Sequence, residues 1–199
     1  MKKLFLLTTL LVLFVGCDNP VSKKIQETKE KVSNTTKAVK ELNTMQEDIL
    51  KLQEMEPLTN EDLKAWLPED IDGMKRTGYK AGQMGMMQIA SIEATYATED
   101  KSQKFKVEII DGAGQMGATA TTAMRFMFSQ DFEEETEYKT RRTMKRKGVK
   151  AIEEYRKNNN NSIIEFMEDD RFYIKATGTN MSLDQTWKAI DKLDTRDLG

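Results

Sequence analysis

The sequence predicts an α+β domain: an antiparallel sheet of about seven strands, in the order βββαββββα, covered by helices and preceded by a long N-terminal helix. Three observations predict it. Apolar and polar residues alternate in Ile92, Ala94, Tyr96 and again in Phe105, Val107, Ile109, the period of a half-buried strand. The joins between such runs are short and turn-forming (Glu99-Asp100-Lys101-Ser102, Asn158 to Asn161, Glu168-Asp169-Asp170), and strands joined that closely run antiparallel. Two stretches switch to helical spacing, one through Met116, Ala120, Met124 and Phe128 and one around Trp187 and Ile190.

Element by element, Thr59-Asn60-Glu61-Asp62 reads as a capped start, and the helix runs through Trp66 and ends before Pro68. Lys75 to Ala81, Ile89 to Ala97 and Lys104 to Ile110 read as strands, and Gly112 to about Phe132 as a helix fit to cover a sheet. Four strands follow, Glu137 to Lys147, Val149 to Lys157, Ser162 to Glu168 and Arg171 to Gly178, and Ser182 caps a last helix from Leu183 to Leu193. The Leu67-Pro68 lead-in, the meander and the Arg171-Phe172 strand resemble uncharacterised bacterial lipoprotein domains, a likeness that implies no activity.

A chain of 199 residues allows one ordinary domain and an accessory segment. Charged residues make up 32%, above the roughly 25% of a globular average, which fits much exposed surface. The net charge of −2 disfavours nucleic acid as a partner, since phosphate neutralisation needs a positive field. The chain has no histidine, which removes Ser-His and Cys-His nucleophile pairs and imidazole zinc sites. One cysteine permits no internal disulfide.

That cysteine closes the opening segment. Lys2 and Lys3 form a basic n-region, and Leu4 to Val15 an apolar stretch that as a helix would reach only about 18 Å, short of a hydrocarbon core of roughly 30 Å. Phe14-Val15-Gly16-Cys17 resembles the lipobox of type II bacterial signal peptides, with Phe14 where Leu is commoner. The resemblance covers the first twenty residues. It implies cleavage after Gly16, a diacylglycerol on the Cys17 sulfur and usually an acyl group on the new amino terminus, so that removing residues 1–16 with Lys2 and Lys3 leaves a chain of net charge −4. Two or three acyl chains at about 0.8 kcal/mol per buried CH₂ anchor stably. Asp18 resembles the inner-membrane retention signal of enteric bacteria, and the membrane, inner or outer, stays open.

Residues 17–57 read as a lipid-anchored helical stalk and 58–199 as the globular domain. From Val21 to Met55 there is neither Gly nor Pro, and Val21, Ile25, Thr28, Val32, Thr35, Val39 and Leu42 are spaced as a coiled-coil seam. The phase then slips, with Leu42, Met45, Ile49 and Leu52 spaced three, four and three. A dimerising or partner-binding stalk through residues 21–55 is the expectation, and a helix lying back on its own domain the other reading.

Four constellations bear on chemistry. Gly112-Ala113-Gly114-Gln115-Met116-Gly117 is a G-x-G-x-x-G after a strand and opening a helix, the context of a dinucleotide site. It lies, however, behind an antiparallel meander and ahead of a polar segment, so the expectation is a sharp turn and close helix–sheet approach, with no cofactor. Met84-Gly85-Met86-Met87 has thioethers suited to Cu(I), but lacks a His or Cys to complete a site and reads as a contact surface. Lys139, Arg141, Arg142, Lys145, Arg146, Lys147 and Lys150 form a basic segment able to meet headgroups or an acidic partner, or to be balanced by the acids Asp131 to Glu137. Carboxylate pairs such as Glu153-Glu154 and Asp169-Asp170 give no sign of a shared pocket. The expectation for the whole is a membrane-anchored, non-enzymatic envelope lipoprotein that docks on a partner through an exposed sheet face, without cofactor or metal. The alternative is a carrier of a lipid or small apolar ligand in a cavity lined by Met116, Met124 and Phe128.

Overall fold

The structure is a computed structural model that describes residues 39–40, 43–83 and 89–198. Helix α1 covers 43–54, and a linker leads to α2 (Asn60–Trp66), whose Thr59 cap and Asp62 close a capping box. Strands β1 (Asp70–Ile71), β2 (Met74–Gln83), β3 (Ala90–Ala97) and β4 (Lys104–Asp111) follow, then α3 (Gly114–Ser129). After it come β5 (Glu133–Glu135), β6 (Lys139–Arg146), β7 (Val149–Arg156), β8 (Asn161–Glu168) and β9 (Phe172–Thr179). Helix α4 (Leu183–Asp191) begins at the Ser182–Gln185 capping box, and a 3₁₀ turn (Thr195–Asp197) follows it.

All nine strands form one antiparallel sheet in the order β1-β2-β3-β4-β9-β8-β7-β6-β5. Strand β9 returns to pair with β4, Val107 opposite Ala176 and Ile109 opposite Ile174, which joins the two meanders at the centre. Alternation along each strand divides the sheet into two faces. On one, Ile92, Tyr96, Phe105, Val107, Ile164, Phe166 and Ile174 pack with Leu63 of α2 and Leu67 just after it, and with Trp187 and Ile190 of α4 and Leu193 just after it. On the other, Ile152, Met167 and Tyr173 take Phe128, Met124 and Met127 of α3.

The α+β class and seven of the strands match the expectation; the count does not. Strand β1 is two residues long, made by the Asp72-Gly73 turn with both φ angles positive, which sets Ile71 opposite Met74. Strand β5 is three exposed glutamates, poor strand formers, set against β6 with Glu134 paired to Lys139 at 3.2 Å and Glu135 to Lys157 at 2.9 Å. Neither is long enough to show alternation.

The long N-terminal helix is also corrected. The helix bounded by its end near Pro57 is described over 43–54, and the seam from Val21 to Thr35, like the signal segment, Cys17 and Leu42, lies outside the described residues. What is described takes the slipped phase: Leu52 is buried and Met45 and Ile49 are half-buried, because these residues turn inward. Met84 to Met87 also lie outside the described residues.

Candidate functional site

The basic segment forms the β6–β7 hairpin, and the pleat splits it. Lys139, Arg141, Lys145 and Lys150 stand on the α3 face, Arg142 and Arg146 on the α4 face, and Lys147 in the turn. Six of the seven meet an acid: Lys139 with Glu134 at 3.2 Å, Arg141 with Glu154 at 3.7 Å, Arg142 with Glu153 at 3.2 Å, Arg146 and Lys147 with Asp191 at 3.4 and 2.9 Å, and Lys150 with Asp131 at 2.7 Å. Lys145 forms no ion pair among the described residues. A hairpin so balanced presents no single basic face.

At the turn end of this hairpin a cleft of about 190 Å³ opens between β6, β8, α4 and the 3₁₀ turn. Polar groups converge there, but they are bonded to one another. Asp191 holds Arg146 and Lys147, the Thr195 hydroxyl donates to buried Glu168 at 2.7 Å, and Arg146 lies 4.8 Å over the Trp187 ring. No group of three or more Cys, Asp or Glu suited to a metal occurs among the described residues.

The glycine motif has a structural task. Asp111 ends β4 with no exposure and accepts from Arg171 Nε and Nη2, both at 2.8 Å, from Ala113 N at 2.9 Å and from Leu58 N at 2.8 Å. Arg171 also donates to the Glu56 carbonyl at 3.2 Å, so this pair pins the linker ahead of α2. A Cβ on Gly112 would lie 2.5 Å from the Arg171 carbonyl oxygen, and one on Gly117 would lie 2.6 Å from that of Asp111. The motif brings the start of α3 into close backbone approach to the sheet, as the close-approach reading expects.

Helix α3 itself is unusual. Its 16 residues carry one charge, Arg125, and that charge faces inward at 8% exposure. Its guanidinium Nε and Nη2 have no hydrogen-bond partner among the described residues, and burial presses its pKa down while Asp170 and Asp48 act against that. The outer side is uncharged, with Phe126 57% and Met116 43% exposed, and Ala123 exposed among the polar Gln115, Thr119 and Ser129. Met116 therefore points away from the sheet, and only Met124 and Phe128 of the three expected cavity residues face it. Phe128 is filled against Tyr173, ring centroids 6.3 Å apart. Sequence reasoning passed over Asp111, Arg171 and Arg125. The readable signal was a lone charge in phase with the inward residues Thr121 and Phe128 of an otherwise uncharged helix.

No family model matches the chain, and no curated protein does. Among solved structures, the chain is similar to a GTP binding regulator from Thermotoga maritima, with 9% identity over 66% of this chain and 84% of that one and a TM-score of 0.31. At so slight a likeness nothing about this chain follows from it.

Proposed function

We propose that this chain is a lipoprotein of a bacterial cell envelope, anchored through Cys17, whose domain docks on a protein partner and carries out no reaction of its own. The observation that carries the docking is the outer side of α3: Met116, Ala123 and Phe126 exposed on a helix with no outward charge. Large apolar side chains on an uncharged helix face offer a partner apolar contact without a charge to desolvate. A protein partner fits better than an anionic lipid surface, because neighbouring α1 bears Glu47, Asp48 and Glu54 against Lys51 alone. The sheet face expected from the sequence is the weaker candidate, since its basic residues are divided and already paired. The lack of histidine and the mutual bonding in the cleft favour a non-enzymatic role.

The test is photocrosslinking from position 126 in intact cells, followed by mass spectrometry, alongside a Cys17→Ser variant. The reading expects one reproducible protein adduct that a Phe126→Asp change abolishes. It also expects Cys17→Ser to move the protein from the membrane to the soluble fraction. Adducts that are diffuse, or unchanged by Phe126→Asp, would sink the docking; membrane retention of Cys17→Ser would sink the anchor.

A further inference from the structure

The cleft at the turn end of the β6–β7 hairpin carries charges that its own bonds leave over. Glu168, on its wall, is 8% exposed, and among the described residues no cation pairs with it. One hydrogen bond reaches its carboxylate, from the Thr195 hydroxyl to Oε2 at 2.7 Å. Oε1 takes none among the described residues and is not closed off from solvent, so it is the oxygen open to the cleft. A carboxylate buried to this degree ordinarily meets a cation.

The opposite surplus lies at the hairpin turn. Asp191 is one acid shared by two cations, Lys147 at 2.9 Å and Arg146 at 3.4 Å, which leaves one positive charge uncancelled. Arg196 and Asp194, 3.7 Å apart, cancel each other. The lining is therefore neutral in total, with a negative end at Glu168 and a positive end at Lys147 and Arg146. Arg146 stands opposite Val149, and the register of Ala151 with Phe166 carries Val149 level with Glu168. The two ends are thus two strand spacings apart along the sheet, about 10 Å between backbones. The wall between them is apolar, from Val149, Phe166 and Ile190.

The Glu168 end is fixed in place. Asp194 turns the chain in the left-handed region, with φ at 46°, and its carbonyl accepts from Trp66 Nε1 at 3.2 Å, ahead of the Thr195 that holds Glu168. The volume, about 190 Å³, lies below that of pockets for drug-sized ligands and suits a molecule the size of one amino acid.

We infer that this cleft binds a small zwitterion, an apolar α-amino acid. Its ammonium meets Glu168 Oε1, its carboxylate meets the Lys147 end, and its side chain lies on Val149, Phe166 and Ile190. A cation alone satisfies one end of the cleft and an anion alone the other; a zwitterion satisfies both. This binding is separate from docking on α3 and needs neither it nor the anchor.

Tryptophan fluorescence reads the cleft, because both tryptophans of the chain border it: Trp187 lines it and Trp66 is bonded to Asp194. The full chain in detergent micelles is titrated with L-leucine, with isocaproate, which lacks the ammonium, and with isopentylamine, which lacks the carboxylate. Leucine should give a saturable change with a Kd of about 1 mM or below, about tenfold tighter than either analogue. Glu168→Gln should weaken leucine about tenfold and remove its advantage over isocaproate. Lys147→Ala should weaken leucine about tenfold and remove its advantage over isopentylamine. The absence of a saturable change with leucine overturns the inference, as does leucine binding no tighter than its analogues. A variant in which leucine keeps its lead over both analogues overturns it too. Should Glu168→Gln not fold, Lys147→Ala decides, since Lys147 is an exposed turn residue whose loss leaves the core untouched.

Discussion

The Trp187 indole donates to the Glu153 carboxylate at 2.6 Å, tying α4 to the middle of β7 within the main core. Glu153 is 4% exposed and its other oxygen accepts from Arg142 Nε and Nη2 at 3.3 and 3.2 Å, so one carboxylate links α4, β7 and β6. On the same tryptophan lies Arg146, whose guanidinium is held by Asp191 of α4. The basic hairpin is thereby fastened to the helix that covers it.

Replacing Glu153 by Gln keeps the shape and removes the charge from these bonds. It should cost about 1–3 kcal/mol and lower Tm by roughly 2–8 °C, read by tryptophan fluorescence on heating. An unchanged midpoint would show that the bond contributes nothing net.

Asp111 and Arg171 form a buried bidentate pair on which the linker also depends. Asp111→Ala and Arg171→Ala should each destabilise by about 3–5 kcal/mol, because each leaves the other group unsatisfied. A double-mutant cycle in urea should return a coupling of about 2–3 kcal/mol. Additive effects would mean that the two are held separately.

Gly117→Ala places a Cβ against the backbone of β4, where nothing flexible can yield. The expected loss is about 2–3 kcal/mol in urea unfolding. Gly148→Ala meets no atom within 4 Å, but its φ is +89°, so it should cost about 1 kcal/mol from backbone strain alone. A smaller loss for Gly117→Ala than for Gly148→Ala would contradict the close approach.

Asp100 accepts from the Thr98 hydroxyl and from the Ser102 backbone N–H and hydroxyl, which draw its pKa down to about 2. An unfolded chain has it near 3.9, so the folded state binds this proton more weakly. The turn's stabilisation is complete above about pH 4 and is lost as pH falls through about 2. Carboxyl carbon chemical shifts should place its midpoint near 2, and Asp100→Asn should flatten the acid limb of the stability curve. A midpoint near 4 would mean that the turn does not hold the carboxylate.

Strands were legible where burial is one-sided. Ile92, Ala94 and Tyr96 against Glu93 and Thr95 record the two faces of β3 in the order of the residues, and β4 repeats it. Strand β5 left no such record, because three exposed glutamates show no alternation and their cations, Lys139 and Lys157, are brought beside them by the sheet. The Asp72-Gly73 signal was present but flanked too short a run. The basic segment shows the same limit in part: Asp131 and Glu134 lie in the acidic run before it, but Glu153, Glu154 and Asp191 become its neighbours only on folding. In α1 the slip after Leu42 was visible as a break in a seam. Its meaning, inward packing of Leu52 on the domain, required the domain.

The sheet is open at both margins, and each is blunted. At one, β5 offers three residues, all exposed glutamates. At the other, β2 carries a bulge between Arg76 and Gly78 and exposed Lys75 and Lys80, with β1 pairing only its first two residues. At β5 a foreign strand finds no length to zip against, and at β2 the bulge and the lysines work against one. Molecules crowded side by side in two dimensions collide edge to edge far more often than molecules in bulk water. On the proposed anchor, which would crowd molecules side by side, the short β5 and the bulged β2 both work against a tenth strand.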